Sequence, residues 1–190
     1  MTIDATNSGA MSLDPPAVEL EVQRATTWGP LPTDEQFGLW VRTALRGRAP
    51  AELAIRIVDR EESRRLNRQY RGKDAPTNVL SFPAELPKDI GLNLLGDILI
   101  CAPQVAEEAL AQGKAEQAHW AHLTIHGVLH LLGYEHHLAA EAEVMDVALQ
   151  TAQVHHLLLH SNHLHTDFVL LVVYGLMRQT LEHLEELIEN

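Results

Sequence analysis

Residues 122–137, HLTIHGVLHLLGYEHH, hold five of the chain's 12 histidines, and all twelve fall between His119 and His183. His126 and His130 stand four residues apart in an apolar run of Val128, Leu129, Leu131 and Leu132. A helix over that run projects both imidazoles from one face, one turn apart. Gly133 allows the left-handed turn that ends such a helix, after which His136 swings back toward the same point. Three neutral imidazoles with an open fourth position are the donor set of a catalytic zinc, whereas a structural site closes with four ligands, often cysteines. This chain has one cysteine, Cys101. Zinc held in this way lowers the pKa of bound water and polarises a substrate oxygen. An ordinary polar histidine pair is the alternative, but burial of the helix would desolvate its imidazoles at a cost that a metal offsets. His119 and His122 share the face and suit supporting or surface roles. His137 competes with His136 for the third position, and the turn geometry favours His136.

The spacing H-x3-H-x2-G-x2-H is also that of the metzincin peptidases, whose signature HExxHxxGxxH supplies a glutamate as general base. Gly127 occupies that position here, so peptide hydrolysis ranks second. Charge supplies a different lead. The 190-residue chain carries a net charge of −12, yet the stretch from Arg42 to Lys73 holds ten basic and four acidic residues, a local +6. A basic island on an acidic chain fits a confined phosphate footprint, and a solvated helix face is the plainer alternative.

The elements that must position these groups follow from periodicity and capping. Residues 1–16, polar and ending in Pro15-Pro16, read as a flexible leader. Alternation predicts strands at 17–24 and 53–58, and short apolar runs bounded by Pro and Gly predict strands at 78–82 and 95–101. Capping boxes at Thr33/Gln36 and Asp59/Glu62 predict helices over 33–46 and 59–70, the second carrying Arg60, Arg64, Arg65 and Arg68 and stopped by Gly72. Further helices are expected from Pro103 to about Gly113, over 115–132 and 139–160, and in an amphipathic segment from 166 to 188. Four strands and five to six helices without strict alternation indicate an α+β fold, a mixed four-stranded sheet with the metal site on a central helix. Residues 17–160 form the expected domain and 161–190 an atypical helical C-terminal extension. With no signal-peptide pattern at the N-terminus, one cysteine and a longest apolar stretch of ten residues (168–177), the expectation is a soluble cytoplasmic protein that does not engage a membrane.

HGVLHLLGYEHH resembles the HGxLHLxGYDH signature of the YbeY family of bacterial endoribonucleases and rRNA maturation factors. LNRQYRGKDAPTNVLSFP (66–83) and LGDILI (95–100) are similar to that family's two other signatures, in the same order and spacing, so the resemblance spans roughly Val18 to Met145. It implies a mixed sheet with surrounding helices, one zinc on His126, His130 and His136, and hydrolysis of single-stranded RNA. It further implies a role in 16S rRNA 3′-end maturation and ribosome quality control, with the small ribosomal subunit and its proteins as partners. The family's functional arginine falls on Arg71. Asn78, Ser81 and Asp97 match other motif positions and read as architectural; Asp97 is either a strand-end hydrogen bonder or a carboxylate that orients a ligand histidine. Glu135 replaces the usual Asp, and little of the family's ending is found beyond Met145.

A guanidinium offers a fixed fork of donors matched to phosphate oxygens, so Arg71 is expected to stabilise charge developing on the reacting phosphate. A surface salt bridge is its plainer role. Attack by zinc-bound water and attack by the ribose 2′-OH need the same residues, and the general base is open. Three functional classes therefore stand: a zinc-dependent endoribonuclease, a zinc metallopeptidase, and a metal-stabilised ribosome-assembly factor without catalysis.

Overall fold

The computed structural model describes residues 17–45, 48–85 and 93–134. Eight elements follow in order: β1 (Val18–Ala25), α1 (Asp34–Ala44), β2 (Ala51–Val58), α2 (Arg60–Arg71), β3 (Val79–Pro83), β4 (Leu94–Cys101), α3 (Ala102–Ala111) and α4 (Glu116–Leu131). The strands form one sheet in the order β1-β2-β4-β3. β1, β2 and β4 run parallel, and β3 pairs antiparallel with β4 as an edge strand. The expected α+β fold with a mixed four-stranded sheet is thus present, and every strand lies within two residues of its predicted bounds. Four helices occur among the described residues. The leader at 1–16, the helices expected over 139–160 and 166–188, and the extension at 161–190 lie outside them. Among the described residues no helix is long and apolar enough to cross a membrane.

Strand pleating sorts side chains onto two unequal faces. Leu53, Ile55 and Ile57 of β2 and Ile98 and Ile100 of β4 join Phe37, Trp40 and Val41 of α1 and Trp120, Ile125 and Val128 of α4 in the main core. Phe37 is the hinge of that packing, meeting Trp40 and Trp120 edge-on at centroid distances of 5.4 and 6.0 Å, a favoured arrangement for aromatic pairs. Val58, Leu80, Leu99 and Cys101 face the other way, against Leu66 of α2 and Phe82.

α2 sits on that second face by different means. Its buried residues are Ser63 and Asn67, and each holds the following loop: Ser63 Oγ donates to the Thr77 carbonyl at 2.7 Å and accepts from the Thr77 N–H at 2.9 Å, while Asn67 Nδ2 donates to the Ala75 carbonyl at 2.8 Å. The Thr33/Gln36 capping box of α1 forms as expected. The Asp59/Glu62 box of α2 does not, because tertiary partners take both members. The Asp59 carboxylate accepts from the Thr26 hydroxyl, and Glu62 binds Arg56 through two hydrogen bonds of 3.0 and 3.2 Å.

Candidate functional site

One face of α4 presents His119, His122, His126 and His130, spaced three, four and four residues apart, so that the rings form a row along the helix. His119 and His122 stack at 6.0 Å between centroids, as do His122 and His126 at 6.1 Å. At the C-terminal end the row changes character. His126 and His130 are 4.5 Å apart with planes at 85°, and their Nε2 atoms lie 3.1 Å from each other. Tetrahedral zinc with Zn–N bonds of about 2.0–2.1 Å places two ligand nitrogens roughly 3.3–3.4 Å apart. The observed pair falls within a few tenths of an ångström of that spacing, so the donor type and separation fit the metal. Among the described residues no set of three potential ligands assembles; His136 lies outside them.

Residues that have no metal chemistry fix the direction in which the chain leaves the pair. Gly133, at φ 90°, follows the last turn of α4. Its N–H donates to the His130 carbonyl and the Tyr134 N–H to the Leu129 carbonyl, both at 3.1 Å, the double bond of a Schellman termination. Arg48 donates to the Tyr134 hydroxyl, and Tyr134 packs against the main core.

Gly127, between the two ligand candidates, faces the sheet. A Cβ built there would lie 2.9 Å from Ile98 Cγ2 and 3.0 Å from its Cδ1, and the Gly127 carbonyl accepts from Ser81 Oγ at 3.1 Å. The position where a metzincin carries its glutamate is therefore filled by the approach of helix to strand. At the other end of the row, buried His119 places Nε2 2.8 Å from Glu108 Oε2, which also accepts from Asn78 Nδ2 at 2.9 Å. Glu108 is absent from the sequence reading. Its signal was the burial of Val105 and Ala109 on either side, which turns α3 so that a carboxylate meets α4.

Arg71 is exposed at the last position of α2, and Gly72 at φ 69° ends the helix. α2 and α4 pack on opposite faces of the sheet, with edge strand β3 between the two sites. Part of the basic island is neutralised. Arg56 pairs with Glu62 at 3.0 Å, Arg60 with Glu107 at 2.5 Å and Arg64 with Asp74 at 2.8 Å. The Arg64 hydrogen bonds hold the Asp74 carboxyl below its ordinary range, helped by the charges of Arg64 and Arg68. Among the described residues Arg68, Arg71 and Lys73 form no ion pair, so the island's cationic character concentrates at the end of α2. Asn78 and Ser81 are architectural, as their bonds to Glu108 and Gly127 show. Asp97 is exposed and alternates with Ile98, which faces α4. It therefore points away from the histidines, which removes the ligand-orienting role.

Residues 33–161 match the family described as endoribonuclease YbeY. A protein of Alkalilimnicola ehrlichii named endoribonuclease YbeY is 55% identical over 139 residues, covering 70% of this chain and 84% of that protein. The chain belongs to the YbeY family. As a member of the YbeY endoribonucleases it is an enzyme that hydrolyses RNA phosphodiester bonds, and the peptidase reading falls. The solution structure of TM1509 from Thermotoga maritima is also similar, at 23% identity and a TM-score of 0.45, covering 70% of this chain and 88% of that one.

Proposed function

We propose that this YbeY-family chain cleaves single-stranded RNA with one zinc ion held by His126, His130 and His136, acting in the cytoplasm on the 3′ end of small-subunit 16S rRNA and in ribosome quality control. The observation that carries the zinc assignment is the pair of Nε2 atoms 3.1 Å apart on perpendicular rings. Zinc on three imidazoles would supply a Lewis acid and an activated water beside the scissile phosphate. The chain's own residues do the rest. The Schellman turn at Gly133 redirects the backbone three residues before His136, and the packing of Gly127 on Ile98 keeps the turn bearing the ligand pair against the sheet. Arg71, on the other side of edge strand β3, would supply a planar fork to phosphate oxygens of a strand that passes round that edge, steadying negative charge as it grows there. Arg68 and Lys73 add attraction for the neighbouring phosphates.

The test pairs metal analysis with cleavage. The full chain should carry one equivalent of zinc and cut a single-stranded RNA in preference to a duplex. His126→Ala and His130→Ala should each lose stoichiometric zinc, and wild-type zinc should be released as pH falls through the histidine range, since only neutral imidazoles ligate. A folded His126→Ala/His130→Ala double variant that keeps a full equivalent would refute the ligand set. Zinc-loaded protein that leaves single-stranded RNA uncut would refute zinc-dependent cleavage of that substrate.

A further inference from the structure

The ring of Tyr70 has no part in the metal site, yet it is the large side chain that α2 leaves in water, at 59% exposure. It is held in place. Phe82 of β3 meets it at 4.9 Å between centroids with planes at 67°, so the phenol is braced on one side and open on the other. Arg68, Arg71 and Lys73, which form no ion pair among the described residues, lie within three residues of it in sequence. A fixed, exposed aromatic ring on a cationic segment is what an unstacked nucleobase needs, because every base has a π face and its phosphates need counter-charge.

The edge strand connects this ring to the histidines. Successive residues of a strand point to opposite faces. Phe82 contacts Tyr70 on the α2 side, whereas its neighbour Ser81 bonds on the α4 side to Gly127, between His126 and His130. The two places thus lie on opposite sides of β3, the edge strand among the described residues. A single RNA strand can bend over such an edge with one base on the ring, whereas a duplex keeps its bases stacked inside.

We infer that Tyr70 is a stacking platform for one base of the RNA substrate, beside the phosphate contacts of Arg71, and that it contributes to selection of unpaired RNA. This rests on the single-stranded RNA reading above. The test measures binding rather than cleavage, using the full-length protein as isolated and a short single-stranded RNA with cleavage-resistant linkages carrying 2-aminopurine, with a duplex of the same sequence as control. Tyr70→Ala should weaken single-strand binding roughly 5- to 150-fold, the range for loss of one stacked base, and abolish the quenching of 2-aminopurine at one position of the strand. Tyr70→Phe and Tyr70→Trp should retain both, Tyr70→Leu neither, and duplex binding should not change. Wild-type affinity in Tyr70→Ala, full rescue by Tyr70→Leu, or an equal loss on the duplex would overturn the platform while leaving the nuclease assignment intact. A wild-type chain that binds no single-stranded RNA would overturn both.

Discussion

Adding a single methyl group to Gly127 tests how the ligand-bearing helix is seated. In a helix interior Ala is favoured over Gly by about 0.8–1.0 kcal/mol, so on propensity alone Gly127→Ala stabilises. The structure opposes this. The new Cβ would meet Ile98 Cγ2 at 2.9 Å and Cδ1 at 3.0 Å, and Ile98 is fully buried and β-branched, with little rotamer freedom to yield. Overpacking of a filled core costs about 1–3 kcal/mol. The net expectation is a loss of about 0–2 kcal/mol, read by urea denaturation. Ile98→Val removes the Cδ1 contact and leaves Cγ2 in place, so it should relieve part of the clash. The double-mutant cycle should then show coupling on the order of 0.5–1 kcal/mol. Gly127→Glu, which would install the missing peptidase base, drives a carboxylate into the same dry contact and should exceed about 4 kcal/mol. A stabilised Gly127→Ala with strict additivity toward Ile98→Val would refute close seating of α4 on β4.

Arg71→Ala should keep fold and zinc while losing roughly 100- to 1,000-fold in cleavage rate, the usual effect of removing one charge-stabilising donor. Arg71→Lys should recover only part of it, and wild-type rates in Arg71→Ala would remove that residue from the site. Burial pushes the Cys101 thiol up, outweighing the lowering from the Gln104 N–H and Ser63. The native chain should therefore resist iodoacetamide at mildly alkaline pH and gain one adduct by mass only on unfolding. Thr33→Ala removes the hydroxyl that accepts from the Gln36 N–H at 3.3 Å and leaves the residue 33 N–H still able to donate to Gln36 Oε1, at 2.9 Å in the native chain. It should cost about 1 kcal/mol in denaturant melts, with Thr33→Ser restoring most of it.

What the sequence disclosed was local. The Thr33 box, the Gly72 and Gly133 stops and the His126/His130 pairing each depend on residues a turn or less apart, and each is present in the structure. What it concealed depends on distant partners. Thr26 lies 33 residues before Asp59, and their bond dissolves a capping box that reads well locally. The basic island looks uniform in sequence, but Glu107 lies 47 residues from Arg60 and removes that arginine from the footprint. Asp97 is a motif residue whose direction was undecided until the pleat of β4 was known. Tyr70 carried no signal because a lone aromatic in a charged helix reads as an anchor to the core, and only its exposure separates the two roles. His136, which completes the proposed ligand set, lies outside the described residues.

The way α2 is attached has a consequence for local unfolding. Its own buried side chains are the polar Ser63 and Asn67, but through Leu66 it also covers Val58, Leu80, Leu99 and Cys101. Detaching α2 with residues 72–78 would therefore break several hydrogen bonds and uncover an apolar face of the sheet as well. Denaturant sensitivity scales with the surface exposed. In native-state hydrogen exchange the amides of α2 should open with a slope against denaturant that approaches the global one, rather than fraying with a slope near zero. The element bearing Tyr70 and Arg71 is thus tied to the sheet rather than hung from its edge.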